Sequence, residues 1–460
     1  MALIKSISGL RGTIGGAPGS NLTPLDAVQF AAAYGTWLLQ QNNNSKNIVI
    51  GRDARISGLM IQNLVANTLV GMGFNIIDLG LSTTPTVELA VPALNAVGGI
   101  ILTASHNPVQ WNALKLLNAK GEFISAYDGE TLLKIIEDNN YALFAEVHNL
   151  GQIITNDTWL QKHIDLVLAY PLVNKTLIAA QNFKIVLDPI NSSGALVVPQ
   201  LLKALGVAEV IMVHGDVTGN FAHNPEPLKA NLTDLCQAVI NNQAHLGIAV
   251  DPDVDRLCFV SENGELFGEE YTLVAIADYI LSKRPGTTVS NLSSTKSLKE
   301  LTEQKYNCKY IAAAVGEVNV VNAMKANNAV IGGEGNGGII VPDFHYGRDA
   351  LIGIGLFLTH LAEKNCSATT LRATYPNYFI AKDKKDLLIG TDVIALLKKI
   401  ETDNNTIPAI TVDGLKLLVG NNWVHMRASN TEPIIRIYAE ADSELEAQQL
   451  ADEFKAQMDL

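Results

Sequence analysis

From residue 97 to residue 108 the chain reads Val-Gly-Gly-Ile-Ile-Leu-Thr-Ala-Ser-His-Asn-Pro. The apolar half predicts a buried β-strand, and the polar hexad Thr103–Pro108 predicts the loop after it. In open α/β sheets, ligands bind beyond the carboxyl ends of the strands, so Ser105 and His106 occupy a favourable position for chemistry. Taken alone, however, the hexad is more typical of an ordinary turn in which Ser105 and Asn107 hydrogen-bond the local backbone.

Short apolar strands alternate with longer helices on both sides of this stretch, as in the strand 47–50 and the helix that Thr23 begins. This alternation predicts parallel, doubly wound sheets with right-handed crossovers. From about Leu371 strands prevail and helices are fewer. We therefore expect an α/β chain with three successive doubly wound α/β domains with mixed sheets, plus a smaller C-terminal α+β domain, around a central cleft. The expected domains are 1–152, 153–256, 257–370 and 371–460.

The composition narrows the class of protein. The chain has 460 residues, of which 48% are hydrophobic, and a formal net charge of −13. These values indicate folded domains and argue against a nucleic-acid or anionic-membrane surface. No apolar run reaches the ~18 residues of a membrane span, and the amino terminus lacks a signal-peptide pattern. Four scattered cysteines without metal-site spacing predict reduced thiols and a cytoplasmic protein.

An acidic motif, Asp-Pro-Asp-Val-Asp-Arg at residues 251–256, lies between two apolar strand-like runs. Residues two apart in an extended chain share a face, so Asp251, Asp253 and Asp255 can converge. Three clustered carboxylates repel one another unless a cation neutralises them, and oxygen ligands favour Mg²⁺. A solvated acidic turn is the alternative, which the apolar flanks disfavour.

Three further loops are ambiguous in isolation. The stretch Gly332–Gly338 contains Glu334 and Asn336, which suit sugar hydroxyls, but it also reads as a flexible hairpin. The stretch Arg427–Pro433 suits a phosphate, but it equally reads as an Asx or Ser turn. The stretch Ser6–Thr13 predicts a glycine-punctuated loop whose one arginine faces either a phosphate or only solvent.

Together and in this order, the loops resemble the α-D-phosphohexomutase family over essentially the whole chain. The resemblance rests on a serine loop, a metal loop, a sugar loop and a phosphate loop: Thr103–Pro108 with Asn112 and Lys115, Asp251–Arg256, Gly333–Gly338, and Arg427–Arg436. Three shorter stretches also look like family elements: Ser8–Gly12, Gly51–Arg55 and Val315–Gly316.

The resemblance implies an intramolecular phosphotransferase, an isomerase of carbohydrate metabolism. It would interconvert hexose 6-phosphate and hexose 1-phosphate through phosphorylated Ser105 and a hexose bisphosphate, which also serves as activator. Mg²⁺ would be held by Ser105, Asp251, Asp253 and Asp255. The other implied residues act in proton transfer and charge neutralisation (His106, Lys115, Arg11, Arg256) or in substrate binding (Glu334, Asn336, Arg427, Ser429, Asn430, Thr431, Arg436).

Within the family, the sequence is most like the phosphoglucosamine mutase branch, which implies glucosamine 6-phosphate as substrate and a role in amino sugar biosynthesis. A phosphomannomutase/phosphoglucomutase is the alternative, and a phosphoserine-type sugar phosphatase or a non-catalytic sugar-phosphate sensor is more distant. The expected partner is a small sugar phosphate, with no nucleic acid and no membrane, for a monomer or homodimer.

Several positions depart from the usual family pattern: Ala113, Pro252, Asn336, Gly338 and Asn430. The changes at Asn336 and Gly338 remove a sugar-loop serine and histidine. We therefore hypothesise that His345, shortly downstream, supplies the missing proton-transfer group.

Overall fold

The computed structural model describes residues 3–6, 9–41, 44–388, 391–429 and 434–459. The chain forms two compact units, one of Met1–Thr272 with Gly337–Thr369 and the other of Leu273–Asn336 with Thr370–Leu460.

The first unit contains a mixed seven-stranded sheet. Its strands are β1 (Leu3–Ser6), β2 (Gly9–Thr13), β3 (Asn47–Arg52), β4 (Asn75–Leu81), β5 (Gly98–Leu102), β6 (Trp111–Leu117) and β7 (Ile153–Thr155). In the described part of the chain their order is β1-β2-β6-β5-β3-β4-β7. The strands β5, β3, β4 and β7 are parallel, whereas β1, β2 and β6 join through antiparallel pairs.

The amino-terminal stretch corrects one expectation, because Gly9–Thr13, within the stretch predicted as a loop, form the strand β2. The strand β2 pairs antiparallel with β6, so that Arg11 lies opposite Ala113. Gly9 has φ +138, and an added Cβ would lie 1.9 Å from the carbonyl oxygen of Leu114. Glycine thus permits a close strand approach that local sequence reasoning reads as a turn. Ser8 lies outside the described residues.

Helices cover both faces of this sheet. Ile48 and Ile50 of β3 belong to a core with Phe30 and Trp37 of the first helix, while Val49 belongs to a second core on the opposite face. The period of two in a strand explains the division. The helices of the first unit that flank its two sheets are α1 (Pro24–Leu39), α2 (Gly58–Gly71), α3 (Thr84–Ala93), α4 (Ala126–Glu137), α5 (Trp159–Ala169), α6 (Lys175–Ala180), α7 (Gly194–Ala204) and α8 (Thr233–Asn241).

A second sheet of four strands belongs to the same unit. Its strands are β8 (Lys184–Asp188), β9 (Glu209–Met212), β10 (Leu246–Val250) and β11 (Leu257–Ser261), in the order β11-β10-β8-β9. The antiparallel hairpin β10–β11 carries the acidic motif at its turn.

Two of the expected domain boundaries fall inside sheets. The boundary after residue 256 separates β10 from β11, which pair along their full length. The boundary after residue 152 separates β7 from its parallel partner β4. The composition of the chain does not record which strands pair across a loop or a long connection. For this reason the expected limits lie inside the two sheets.

The second unit combines parallel and antiparallel pairing. Strand β12 (Thr288–Asn291) pairs in parallel with β13 (Tyr310–Ala313) and with β14 (Ile331–Glu334). A five-stranded antiparallel sheet follows, with strands β16 (Phe379–Asp386), β17 (Ala409–Ile410), β18 (Leu415–Val419), β19 (Asn422–Ala428) and β20 (Ile434–Ala441). Its core includes Val424, Ile437 and Phe454. The predicted α+β character of the C-terminal region is confirmed.

The remaining elements are helices and one short strand. They are α9 (Glu269–Lys283), α10 (Ser297–Glu300), α11 (Glu317–Ala326), strand β15 (Gly338–Ile340), α12 (Ala350–Lys364), α13 (Ala368–Arg372), α14 (Val393–Asp403) and α15 (Glu444–Ala456). Among the described residues, no helix has the length and apolar character needed to cross a membrane. The expected α/β fold with mixed sheets is confirmed.

Candidate active site

Ser105 lies in the loop after β5, with a backbone φ of +48 and only 3% of its surface exposed. Its Oγ donates a hydrogen bond of 2.7 Å to Oδ2 of Asp251. Its backbone N–H donates to Thr103 Oγ1, and that hydroxyl donates to Asp53. A left-handed conformation is costly for a residue with a Cβ, so these bonds must hold it. The serine of the hexad is therefore fixed beside the acidic motif.

A buried arginine between β3 and α2, Arg55, holds this loop. Arg55 pairs with Asp53 at 3.0 Å and is only 1% exposed. Its guanidinium donates to the carbonyl oxygens of Ser105, Asn107, Pro108 and Trp111. The planar, five-donor guanidinium is the side chain that suits several acceptors at once.

We expect Arg55→Lys to lower the free energy of unfolding by about 2–4 kcal/mol and kcat by roughly 100-fold. The ammonium keeps the charge but cannot reach four divergent carbonyls, so the serine loop loses its conformation. Thermal unfolding and turnover of the purified enzyme would measure both effects. Arg52→Lys is the matched control, because Arg52 donates one bond to the Asp53 carbonyl. Equal behaviour of the two variants would contradict the prediction.

The three aspartates of the acidic motif converge as predicted. Asp251, Asp253 and Asp255 are fully buried, and one carboxylate oxygen from each lies within 4.8 Å of the other two. In the described structure Oδ1 of Asp253 and Oδ1 of Asp255 accept no hydrogen bond. Buried carboxylate oxygens without donors are unfavourable unless a cation meets them. The three residues thus fit a hard divalent cation such as Mg²⁺.

Cations surround this cluster. Lys115 Nζ lies 2.7 Å from Asp253 and 3.2 Å from Asp255, and Arg348 Nη2 lies 2.8 Å from Asp255. Burial alone would lower the pKa of Lys115, but Asp253 and Asp255 raise it above the usual range. Lys115 is therefore an ammonium in this arrangement and cannot accept a proton.

His106, Arg11 and Arg256 complete the group of predicted residues in this unit. His106 Nδ1 lies 3.5 Å from Ser105 Oγ, and burial lowers its pKa well below the ordinary value, so this imidazole is neutral. Arg11 donates to Asn107, and burial lowers its pKa to about 10. Arg256 pairs with Glu226 at 3.1 Å and lies 4.0 Å from Asp251. The structure brings all three to the serine and aspartate loops.

His345 takes part in a separate buried network of the same unit. Its Nε2 lies 3.1 Å from Asp349, its Nδ1 lies 3.5 Å from Glu88, and His163 lies 2.9 Å from Asp349 on the other side. Asp349 also caps α12 by accepting from the backbone N–H groups of its first turn. These contacts favour a positioning role for His345, and proton transfer by it remains a hypothesis.

Residues 333–336 of the predicted sugar loop belong to the second unit, whereas Gly337 and Gly338 belong to the first. Glu334, which is 4% exposed, accepts hydrogen bonds from Asn291 and from the backbone N–H of Gly316. Asn336 Nδ2 lies 3.4 Å from the other Glu334 oxygen. The Val315–Gly316 element and the glycine-rich loop therefore meet at this carboxylate.

Part of the predicted phosphate loop also belongs to the second unit. Arg427 on β19 and Arg436 on β20 are direct cross-strand partners in the antiparallel ladder. Side chains at such positions share a face, and like charges there repel unless an anion joins them. The Ser429 backbone N–H donates to the Ile434 carbonyl. Asn430 and Thr431 lie outside the described residues.

His425 of β19 gives this unit a predictable acid sensitivity. Its Nε2 donates to the Asp413 carbonyl and its Nδ1 accepts from Ser293, and burial lowers its pKa from 6.5 to about 4. The unfolded chain binds the proton more readily, so stability falls as pH drops through 6.5. Between about pH 7.5 and about pH 5 we expect a loss of about 2 kcal/mol from this group.

His425→Gln lacks this titrating group. The difference in free energy of unfolding between wild type and His425→Gln, measured in urea, should therefore shrink by about 2 kcal/mol between about pH 7.5 and about pH 5. His148→Gln, at an exposed histidine, is the control. A constant difference between wild type and His425→Gln across the pH range would refute the assignment.

Sequence reasoning gave no individual role to several residues that the structure brings to the site. Arg55 and Asp53 were recognisable only as part of the family element Gly51–Arg55. Thr84 at the start of α3 donates its hydroxyl to Asp253 and its N–H to the Asp253 carbonyl. No local pattern separates Thr84 or Glu226 from ordinary surface residues.

Four domain models of one family match the chain in order. They are the phosphoglucomutase/phosphomannomutase α/β/α domains I, II and III over residues 3–142, 161–264 and 268–378, and the C-terminal domain over residues 381–457.

Relatives match over nearly the whole length. A phosphoglucomutase/phosphomannomutase of Thermococcus kodakarensis is 32% identical over 453 residues, 96% of either chain. A phosphoglucosamine/phosphogalactosamine mutase of Sulfurisphaera tokodaii is 31% identical over 460 residues, 99% of either chain. The crystal structure of a phosphoglucomutase/phosphomannomutase family protein from Burkholderia thailandensis has a TM-score of 0.84 at 24% identity, covering 99% of this chain and 96% of that one.

Four domains of one family in their expected order, together with the fold and a buried aspartate triad, establish the class. The chain belongs to the α-D-phosphohexomutase family. Its activity is that of a phosphohexomutase, an isomerase of carbohydrate metabolism that acts on sugar phosphates.

Proposed function

We propose that the protein interconverts glucosamine 6-phosphate and glucosamine 1-phosphate through phosphorylated Ser105 and a bisphosphorylated sugar. The observation that carries the proposal is the contact of 2.7 Å between Ser105 Oγ and Asp251, in a triad with two carboxylate oxygens that accept no hydrogen bond. A phosphoryl carrier must lie beside the charge that neutralises it.

Each residue near Ser105 has a role in the proposed cycle. Asp251, Asp253 and Asp255 would hold Mg²⁺, which when bound supplies positive charge to the phosphoryl oxygens. The ammonium of Lys115 donates a proton to the departing Ser105 oxygen or to a sugar oxygen, and neutral His106 accepts one. Arg11 adds positive charge near the serine loop without covalent chemistry.

In the second unit, Glu334 and Asn336 would bind sugar hydroxyls. Arg427 and Arg436 would bind the phosphate that is not being transferred, because two guanidiniums on one face match a dianion. Asn430, Thr431 and Ser429 are proposed to add hydroxyl, amide and backbone donors. The four expected domains, with their limits revised to keep each sheet whole, remain part of this proposal.

The sugar is the finer part of the proposal. Support comes from the Sulfurisphaera tokodaii relative, named a phosphoglucosamine/phosphogalactosamine mutase. The second candidate is a phosphomannomutase/phosphoglucomutase, which the slightly higher identity to the Thermococcus kodakarensis relative favours.

The test is a coupled assay of glucosamine, glucose, mannose and N-acetylglucosamine phosphates with Mg²⁺ and the matching hexose bisphosphate. We expect the highest kcat/KM with glucosamine phosphate. A higher value with mannose or glucose phosphate would select the second candidate. Release of inorganic phosphate at the rate of sugar turnover would instead indicate a phosphatase.

A further inference from the structure

A second cluster of ligand-type side chains lies in the first unit, on the second sheet. Asp188 ends β8, and His214 and His223 lie in the segment after β9. Oδ2 of Asp188 is 3.0 Å from His214 Nδ1 and 3.0 Å from His223 Nε2. One atom from each of the three lies within 4.8 Å of the others. Asp188 is buried, whereas the imidazoles are 18% and 17% exposed, so a small ion can reach them from solvent.

The hydrogen bonding of His223 indicates what this cluster lacks. Its Nδ1 lies 2.8 Å from the carbonyl oxygen of Asn224, which can only accept, so Nδ1 carries the proton. In a neutral imidazole Nε2 then presents a lone pair to the Asp188 carboxylate. Two acceptors 3.0 Å apart repel each other, and either a second proton or a metal ion has to lie between them.

His214 has the same difficulty. Its Nδ1 faces Asp188, and its Nε2 lies 3.3 Å from the exposed carboxylate of Asp234. A neutral imidazole has one proton for these two acceptors. The second oxygen of Asp188 is already occupied, since it accepts from the backbone N–H of Ile190. In metal-binding histidines, one ring nitrogen usually donates its proton to an outer acceptor, and the other ring nitrogen, which carries no proton, binds the metal.

We propose that Asp188, His214 and His223 form a second divalent-cation site, one that takes a borderline metal such as Zn²⁺ rather than Mg²⁺. Two imidazoles and one carboxylate are a common zinc donor set, with water as the fourth ligand. Tetrahedral zinc places its ligand atoms about 3.3 Å apart. The two separations between Asp188 and the histidines, 3.0 Å each, are close to this value, and the two histidine nitrogens lie within 4.8 Å of each other. The all-oxygen aspartate triad, by contrast, suits Mg²⁺.

The position of the cluster indicates what the metal does. Asp188 begins a loop in which Ile190 and Asn191 both have positive φ, and the Asn191 N–H donates to the carbonyl oxygen of His214. The next residues, Ser192 and Ser193, both donate to the carbonyl oxygen of Pro252 within the acidic motif. A metal at Asp188 joins the segment that carries His214 and His223 to the loop 188–193, which supports the aspartate loop through Ser192 and Ser193.

The test uses the full chain in excess Mg²⁺, with Co²⁺ as a spectroscopic probe and Zn²⁺ as competitor. We expect one Co²⁺ per chain with the intense visible absorption of a four-coordinate site, displaced by Zn²⁺, and a higher Tm with Zn²⁺. His214→Asn and His223→Gln each keep an N–H donor near Asp188 but lose the imidazole ligand. Each should weaken Co²⁺ binding at least about tenfold, while His148→Gln should bind as wild type.

The proposal would be overturned if no Co²⁺ bound in excess Mg²⁺, or if both histidine variants bound Co²⁺ as wild type does. A proton would then be the group that lies between the Asp188 carboxylate and the histidine nitrogens. Hydrogen exchange of the wild-type chain covers the case in which the variants fail to fold. Zn²⁺ should slow exchange in residues 186–193 and 212–224. Slowing confined to residues 251–256 would overturn the proposal, because the metal would then bind the aspartate triad only.

Discussion

Ser105→Ala is expected to lower kcat for every hexose phosphate by at least about 10⁴-fold, with the fold and the Tm close to wild type. The substitution removes the hydroxyl that donates to Asp251 of the aspartate triad, and with it the proposed carrier of the phosphoryl group between sugar positions. The measurement is a coupled assay with added hexose bisphosphate, together with intact-mass analysis for a phosphorylated chain.

Ser125→Ala is the matched control, because Ser125 is an exposed serine that caps α4. It should cost about 1 kcal/mol of stability at most and leave turnover unchanged. If Ser105→Ala retained turnover, Ser105 would take no part in the reaction. Loss of turnover without any phosphorylated wild-type chain after incubation with bisphosphate would indicate a structural role only.

Asp251→Asn and Asp255→Asn are expected to differ in metal-free stability, with only Asp255→Asn destabilised. Both should lower kcat by about 10³-fold and lose the rise in Tm caused by Mg²⁺. Burial and the charges of Asp255 and Asp253 raise the pKa of Asp251, so its ionised form is disfavoured in the metal-free protein. The neutral amide in Asp251→Asn relieves that repulsion. Its oxygen can still accept from the backbone N–H groups of residues 255 and 256. The metal-free Tm should therefore be equal or higher.

For Asp255, nearby positive charges outweigh the effect of burial on the pKa. Burial raises its pKa, but Arg348 and Lys115 lower it below the usual range, so the carboxylate is held ionised. Asp255→Asn removes the buried carboxylate that pairs with Arg348 and Lys115 and should cost about 3 kcal/mol. Thermal unfolding with and without Mg²⁺ measures both effects. An equal loss of metal-free stability in the two variants would contradict the charge assignment.

The local elements around the site were predictable from sequence. The apolar run before Ser105 is β5, and the runs on either side of the acidic motif are β10 and β11. Each is a short apolar segment ended by polar residues, so its length and position follow from local pattern. The aspartates also converge as expected, because alternation along an extended chain acts over a few residues.

Other parts could not be predicted in this way. The strand β2 reads as part of a glycine-punctuated loop in the sequence, and its pairing with β6 shows that it is a strand. Arg55, Thr84 and Arg348 reach Ser105 or the aspartates from 50, 169 and 93 residues away. The positions of such residues depend on how sheets and helices pack, and the residues next to them in the sequence do not indicate that packing.

The sequence by itself therefore determined the order of strands and loops, the serine and aspartate loops, and the family resemblance, since these depend on residues close together in the chain. Only the tertiary structure decided which charges meet Ser105 and the triad. It also brought Asp188, His214 and His223 into one cluster, whose ligands come from separate segments and follow no recognised metal-site spacing. Charge and coordination act over a few ångströms in space, whatever the separation along the chain, so they become visible only once the chain is folded.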